Sequence, residues 1–133
     1  MDVEIITNIG QINNRLNSFW GNKRKITKPF LRPILILAYT KENSPVGFLY
    51  CYDLNDGYFR EIILDDLFIK RQFHGGKYDS LLINAIIKYA KEHSIERLVL
   101  YIKEDNSRLK DMLKVAGFRI NTNISMAELT LPN

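Results

Sequence analysis

The sequence has one cysteine, two histidines and no long apolar run, and each shortage excludes a class of protein. Cys51 cannot form a disulfide within the chain, and without a cluster of Cys and His no metal site is indicated. The longest apolar run, Ile34 to Tyr39, is far too short to cross a bilayer. Residues 1–20 lack the basic start and uninterrupted apolar core of a signal peptide. A reducing, cytoplasmic setting without a membrane partner is therefore expected.

The chain also has only a small excess of positive over negative charge. The net charge is only +4, and the chain has no long run of basic residues with interleaved aromatic side chains, which nucleic-acid binding would favour. A nucleic-acid partner is therefore not expected. The densest basic cluster is typical of a solvated helix end and loop, and it consists of Lys23, Arg24, Lys25, Lys28 and Arg32.

The length of 133 residues suits one domain, residues 1–133, with one core. Apolar spacing predicts the elements. Helices are predicted at Ile9–Trp20, Ser80–His93 and Ser107–Ala116, and strands at 1–7, 34–39, 46–52, 61–69, 97–102 and 126–131. Because a helix crosses between strands 61–69 and 97–102, those two strands are expected to be parallel neighbours. The expected class is α/β (α+β), a mixed twisted sheet of about six to seven strands flanked by helices.

The chain between the strand ending at Ile69 and the helix starting near Asp79 or Ser80 turns on two glycines, Gly75 and Gly76. A strand, a glycine turn and a helix N-terminus together favour phosphate binding, because the first helical amides lack partners and the helix dipole adds positive charge. The same two glycines are also what a plain turn with positive φ would use, and that interpretation stays open.

Two stretches resemble the GNAT superfamily of acyl-CoA-dependent N-acyltransferases. The family carries Arg/Gln-x-x-Gly-x-Gly/Ala, usually after Val-x-Pro-x-Tyr. Ile69 stands at the Val, Phe73 at the Tyr and His74 at the Arg/Gln. The second stretch, from Asn106 to Phe118, is similar to Asn-x-x-Ala-x-x-x-Tyr-x-x-x-Gly-Phe and keeps the Asn, the Gly and the Phe.

Several positions depart from these motifs. Lys77 stands where the central Gly is expected, Asp79 replaces the last Gly or Ala, and Leu109 and Leu113 replace the Ala and the Tyr. A carboxylate at position 79 would cap the amides that a pyrophosphate needs and would repel its charge. Lys77 could offset this effect by pairing with Asp79 or by reaching the phosphates.

The resemblance implies an N-acyltransferase that moves an acetyl group from acetyl-CoA to an amine acceptor by direct transfer. The alternative is a GNAT-fold binding or regulatory module with weak or lost acyl-CoA binding. The acceptor would be a small-molecule or protein amine, and a homodimer stays open. In the family, two neighbouring strands splay apart to admit the pantetheine arm. The corresponding strands here are 64–69 and 98–102. The implied coenzyme A residues are Leu67, Phe68, Ile69, His74, Gly75, Gly76, Lys77, Tyr78, Asp79, Ser80 and Asn106.

An amine must lose a proton to attack a thioester, and carboxylates on the strand at the splay are the candidate bases. These are Asp65, Asp66 and, just upstream, Glu61. Neighbouring strand residues point to opposite faces, so at most one of the two aspartates is expected to face a given acceptor. Solvation, or pairing with Arg60, Lys70 or Arg71, is the alternative role for these carboxylates.

The leaving thiolate needs a proton that Leu113 cannot donate. Tyr101 and Tyr78 are the alternatives in the sequence, and water is a third. In the family, the region after the first helix usually lines the acceptor site, so Trp20 and Phe30 are candidates for substrate contact. A role as simple loop anchors is the alternative for both.

Overall fold

The computed structural model describes residues 3–20, 32–55, 60–102, 107–121 and 126–132. Within these ranges the chain forms one sheet of seven strands with three α-helices. The expected α/β (α+β) class is confirmed. The strands are β1 Val3–Ile6, β2 Arg32–Tyr39, β3 Pro45–Asn55, β4 Arg60–Ile69, β5 Arg97–Tyr101, β6 Arg119–Asn121 and β7 Met126–Thr130. The helices are α1 Ile9–Trp20, α2 Tyr78–Glu92 and α3 Ser107–Val115.

The strands lie in the order β1-β2-β3-β4-β5-β7-β6. Neighbours are antiparallel except β4 and β5, which are parallel and are joined through α2. The prediction that these two strands are parallel neighbours is confirmed. The sequence pattern does not predict β6, because its three residues are too few to show a periodicity.

The β4–β5 pairing covers only the first half of β4. It runs from Glu61 opposite Arg97 to Leu64 opposite Leu100. Beyond this point β4 continues to Ile69 and, among the described residues, is paired only with β3 on its other side. Within the described part of the chain, one edge of β4 is therefore open at the end that leads into the glycine loop, which is the end where the splay is expected.

The two faces of the sheet carry separate apolar layers. Helix α2 buries Leu82 and Ile86 against one face, where Leu113 of α3 joins them. Helix α1 covers the other face with Ile12 and Leu16. The mostly apolar α2 is thus buried on several sides, as its composition predicts.

The helix ends follow local chemistry. Asn8 caps α1, because its side-chain oxygen accepts a hydrogen bond from the Gln11 amide at 3.1 Å. Helix α2 begins at Tyr78, two residues before the predicted Ser80, since backbone geometry rather than a capping side chain starts it. Gly117, at φ +102°, ends the turn after α3.

Cys51 of β3 is a core residue. It is fully buried, and burial raises the pKa of its thiol. A catalytic cysteine instead needs an accessible thiol with a lowered pKa, so Cys51 is not a candidate nucleophile. No helix within the described residues is long and apolar enough to cross a membrane.

Candidate active site

A β-bulge lies where β4 leaves β5. Cys51 of β3 pairs with Leu64, but its neighbour Tyr50 pairs with Asp66, so Asp65 is an extra residue in β4. A bulge interrupts the alternation of side chains and turns the strand, and bulges are frequent beside active sites. The open edge of β4 therefore begins at a residue whose direction is set by the bulge.

The bulge brings both aspartates to the face that α1 covers. Asp66 is opposite Tyr50, whose ring packs against the α1 layer. The Tyr52 hydroxyl, on the same face as Tyr50 with the ring centroids 6.1 Å apart, donates to the Asp65 carboxylate at 3.4 Å. The extra residue thus shifts the alternation on which the expectation for the two aspartates was based. That at most one of them faces a given acceptor stays a prediction.

Tyrosine hydroxyls surround the bulge. Burial raises the pKa of Tyr50 to about 12, and the Asp65 carboxylate adds to this effect. Burial and then Asp65 also raise the pKa of Tyr52, with a small contribution from Tyr101. Tyr101, which is 55% exposed, continues β5 just past the last β4–β5 pair. The Tyr50 and Tyr52 hydroxyls are protonated at neutral pH and can donate hydrogen bonds.

Glu61 lies away from this group. Its buried carboxylate accepts a hydrogen bond from Arg97 Nε at 2.7 Å, at the end where β4 and β5 are paired. At about 3.3 Å per residue, it is roughly 13 Å along the strand from Asp65. Arg60, considered above as a partner for the aspartates, binds Asp53 at 2.8 Å instead. The structure does not bring Glu61 together with the other two candidate bases.

A cleft of about 270 Å³ continues from the open edge of β4. It joins residues from the two stretches identified in the sequence, which are distant along the chain. Its lining comes from β4, the glycine loop, the first turn of α2 and the start of α3, and comprises Leu67, Ile69, Phe73, His74, Gly75, Gly76, Asp79, Arg108 and Leu109.

The loop at one end of the cleft is held by its own contacts. A 3₁₀ turn, Arg71–Phe73, precedes it, and the His74 ring nitrogen Nε2 lies 2.8 Å from the Ile69 carbonyl oxygen. That hydrogen bond requires a proton on Nε2, because the carbonyl oxygen can only accept. Gly75 has φ +83°, a conformation that favours glycine, and nothing lies within 4 Å of where its Cβ would be.

The N-terminus of α2 faces this cleft. Lys77 is the N-cap residue and makes no side-chain capping bond, so the first helical amides rely on other partners. The Asp79 carboxylate accepts a hydrogen bond from the Ser80 amide at 2.8 Å and an ion pair from Arg108 at 2.9 Å. The described partner of Asp79 is thus Arg108, not Lys77.

Arg108 is a site residue that the sequence reasoning missed. The sequence indicates this residue through its position, immediately before Leu109 in the second motif. It reaches Asp79 from α3, so the ion pair connects the two helices along the cleft. Because the Asp79 side chain is 16% exposed and that of Arg108 60% exposed, the pair lies at the mouth and not in the core.

The other candidates are distributed as follows. The Tyr78 ring packs edge-on against Phe73, with centroids 5.6 Å apart. Phe68 points to the α1 face, where it packs against Phe19 and Phe48. Leu113 is fully buried in the core. Asn106, Phe30 and the Trp20 side chain lie outside the described residues.

Comparisons with known proteins relate this fold to a protein family. A profile of the acetyltransferase (GNAT) family matches residues 14–118. A search of curated proteins by sequence gives no match. The coenzyme A complex of PaiA N-acetyltransferase from Thermoplasma acidophilum superposes with a TM-score of 0.68 at 15% identity, covering 98% of this chain and 100% of that one.

Two further solved structures have the same fold. NAA60 from Arabidopsis thaliana, in complex with a bisubstrate analogue, has a TM-score of 0.67 at 10% identity and covers 96% of this chain and 97% of its own. An acetyltransferase of the GNAT family from Staphylococcus aureus MU50 has a TM-score of 0.66 at 16% identity, with coverages of 98% and 99%. With its parallel pair open beside the glycine loop and its match over residues 14–118, the chain belongs to the acetyltransferase (GNAT) family.

Proposed function

We propose that the chain transfers an acetyl group from acetyl-CoA directly to an amine acceptor. The observation that carries this proposal is the open edge of β4, Asp65–Ile69, which leads straight into the glycine loop and the cleft at the α2 N-terminus. An extended pantetheine arm with its amide groups is complementary to a free strand edge, and a pyrophosphate is complementary to helical amides.

The donor would lie along β4 with its thioester near the bulge. Backbone amides around Leu67 to Ile69 pair with the arm and stabilise the oxyanion that forms when the amine attacks the thioester carbonyl. The pyrophosphate lies at the His74–Ser80 segment, where Gly75 and Gly76 allow close approach of the backbone. Phosphate binding at this loop requires the Asp79–Arg108 pair to rearrange or to share Arg108 with the ligand.

Three proton transfers accompany the reaction. The carboxylate of Asp65 or Asp66, directly or through one water, takes one proton from the ammonium form of the acceptor before the C–N bond forms. The nitrogen of the tetrahedral intermediate loses its second proton to water, and collapse of the intermediate breaks the C–S bond. The thiolate takes a proton from water or from the Tyr101 hydroxyl, which solvent then reprotonates. Glu61 has no role in this proposal, because its carboxylate is already bound to Arg97.

The acceptor belongs to the same proposal. The tyrosines and aspartates around the bulge present anionic and aromatic groups, which suit a protonated amine on a small molecule or a protein. One structural neighbour holds coenzyme A and another holds a bisubstrate analogue. We place the enzyme in the cytoplasm, and a homodimer stays a prediction that light scattering would test.

Calorimetry with coenzyme A and acetyl-CoA is the first test. The second measures release of free thiol from acetyl-CoA with a panel of diamines, amino acids and short peptides. We expect saturable binding of both ligands and thiol release that depends on the amine. Asp65→Ala and Asp66→Ala should both bind acetyl-CoA as the parent does, and at least one of the two should lose turnover. Binding without transfer to any amine would contradict the proposal.

A second candidate function is a binding or regulatory module of the same fold. The Asp79–Arg108 ion pair favours it, because this pair occupies groups that a pyrophosphate would use. A dissociation constant for coenzyme A weaker than about 1 mM, equivalent to less than about 4 kcal/mol of binding, would favour this function over the enzyme.

A further inference from the structure

A second cleft of about 360 Å³ lies at the other end of α2. It lies between Tyr89 and His93, at the C-terminal end of the helix, and the strand ends that carry Arg32, Asp53 and Arg60. With a rise of 1.5 Å per residue, α2 is about 21 Å long, so this cleft is well separated from the first one. The proposed transfer reaction uses none of these residues.

The acceptors around this second cleft are bonded to protein donors or enclosed by the protein. The Asp53 carboxylate, 6% exposed, accepts a hydrogen bond from Arg60 at 2.8 Å, which neutralises its charge, and its other oxygen, Oδ1, is enclosed without a described partner. At the end of α2, the Tyr89 carbonyl oxygen accepts the His93 amide, and the His93 carbonyl oxygen accepts Arg60. These bonds also offset part of the negative charge that a helix C-terminus carries.

Two donors in the lining are left over. Arg32 is exposed and stands opposite Asp53 in the β2–β3 pair, but Asp53 is bound to Arg60, so Arg32 has no ion pair within the described ranges. The Tyr89 hydroxyl has no hydrogen-bond partner among the described residues either. Burial, and then the charge of Asp53, raises the pKa of Tyr89, while Arg60 and Arg32 lower it, so the hydroxyl is close to all three charges and is protonated at neutral pH.

We propose that this cleft binds a small organic carboxylate, which accepts hydrogen bonds from the Arg32 guanidinium and the Tyr89 hydroxyl. Because Asp53 and Arg60 neutralise each other, Arg32 leaves one net positive charge in the lining. A planar guanidinium forms paired, charge-assisted hydrogen bonds with a carboxylate. The ligand uses no atom of the buried Asp53–Arg60 pair.

The rest of the lining selects the body of the ligand. Ile34 is buried beside the half-buried Pro33, and the Tyr89 ring stacks on His93 with centroids 3.9 Å apart and planes 21° apart. These flat and apolar groups favour a planar apolar body. A volume of about 360 Å³ is within the range that small-molecule sites occupy. Benzoate is therefore the probe of choice.

Three ligands on unchanged protein test the chemistry. Benzoate, benzamide and inorganic phosphate are titrated into the full chain, without acyl-CoA, and followed by amide NMR. We expect saturable shifts for Arg32, Asp53 and Tyr89 with benzoate. Benzamide has the same shape without the charge and should bind at least about tenfold more weakly. Phosphate has the charge without the apolar body and should bind several-fold more weakly than benzoate.

Variants give an independent measure. Arg32→Gln removes the charge of an exposed side chain and should weaken benzoate binding about tenfold. Tyr89→Phe keeps the stacked ring, removes only the hydroxyl and should weaken binding several-fold. Lys41→Gln removes the same charge from the exposed turn between β2 and β3, so it is the matched control and should bind benzoate as the parent does.

Four results would overturn the proposal. The first is the absence of any saturable shift at about 20 mM benzoate, which would mean an affinity weaker than millimolar. Equal binding of benzamide and benzoate, or of benzoate by Arg32→Gln and the parent, would remove the recognition of charge. Phosphate binding as tight as that of benzoate would remove the selection of an apolar body. Shifts confined to residues 74–80 would place the ligand at the candidate active site instead. Each result is obtained without acyl transfer and is therefore separate from the test of the proposed function.

Discussion

Replacing Asp79 by Asn should tighten the binding of coenzyme A. The substitution removes one negative charge from the α2 N-terminus and keeps a side-chain oxygen that can accept the Ser80 amide, as the carboxylate does at 2.8 Å. It also releases Arg108, now paired with Asp79 at 2.9 Å, for a phosphate oxygen. Asp79→Gly removes the charge and the cap together.

The magnitude follows from the charges at the cleft mouth. Two like unit charges about 4 Å apart repel by about 1 kcal/mol in water and about 4 kcal/mol near a protein surface. The ion pair with Arg108 offsets part of this, but Arg108 is 60% exposed, so the pair contributes only about 0.2–1 kcal/mol. A net gain of about 1.4 kcal/mol, or tenfold in affinity, is expected for Asp79→Asn.

The measurement is the dissociation constant of coenzyme A by calorimetry at low and moderate salt, together with urea unfolding. The gain should shrink as salt rises, since the cleft mouth is exposed to screening. Stability should change by less than about 1 kcal/mol in Asp79→Asn, with a further loss of a few tenths of a kcal/mol in Asp79→Gly. Arg108→Gln is the control of opposite sign, because it leaves Asp79 unpaired and should weaken binding.

The reasoning is refuted if Asp79→Asn binds coenzyme A no more tightly than the parent. Unchanged binding in Arg108→Gln as well would show that neither side chain contacts the phosphates. In that case the carboxylate serves only the start of α2, and its place in the motif has no bearing on the ligand.

Five other substitutions, controls included, separate effects on chemistry from effects on folding. Asp65→Ala should lower turnover by about 10²- to 10⁴-fold without changing the acetyl-CoA dissociation constant, whereas Glu61→Gln should lower stability by about 1–3 kcal/mol and spare turnover per folded molecule. Tyr101→Phe should lower turnover while acetyl-CoA still binds; full activity would assign the thiolate's proton to water. Gly47→Ala should destabilise by about 1–3 kcal/mol or more, because its Cβ would lie 2.2 Å from a β4 carbonyl oxygen. Gly10→Ala in α1 is the comparison: its Cβ would lie 3.3 Å from the side-chain oxygen of Asn8, so a smaller effect than that of Gly47→Ala is expected in urea unfolding.

Most helices and strands could be predicted because apolar residues recur along them with the period of a helix or a strand. The helix between β4 and β5 showed that the two strands are parallel, and the apolar spacing from Ile12 to Leu16 showed which side of α1 is buried. The sequence pattern predicts the start of α2 one or two residues too late, because the N-cap residue Lys77 makes no side-chain capping bond that a pattern could indicate. A short strand such as β6 has too few residues to show a periodic spacing of apolar side chains.

The site was less predictable because its geometry depends on irregularities and on contacts distant in sequence. A bulge adds one residue without changing composition, so the shift at Asp65 cannot be read from alternation alone. The ion pair between Asp79 and Arg108 joins two helices that no local pattern links. The unpaired oxygen of Asp53 depends on how β3, β4 and α2 meet.

The open edge of β4 also has a consequence for solubility. An unpaired stretch of strand is a template for the strand of another molecule, and natural sheets protect such stretches with bulges and charges. Asp65 and Asp66 supply both, since they carry two negative charges at the bulge that begins the open edge. These two residues would therefore oppose strand-mediated self-association, and replacing both by apolar residues would favour it whenever no ligand covers the edge.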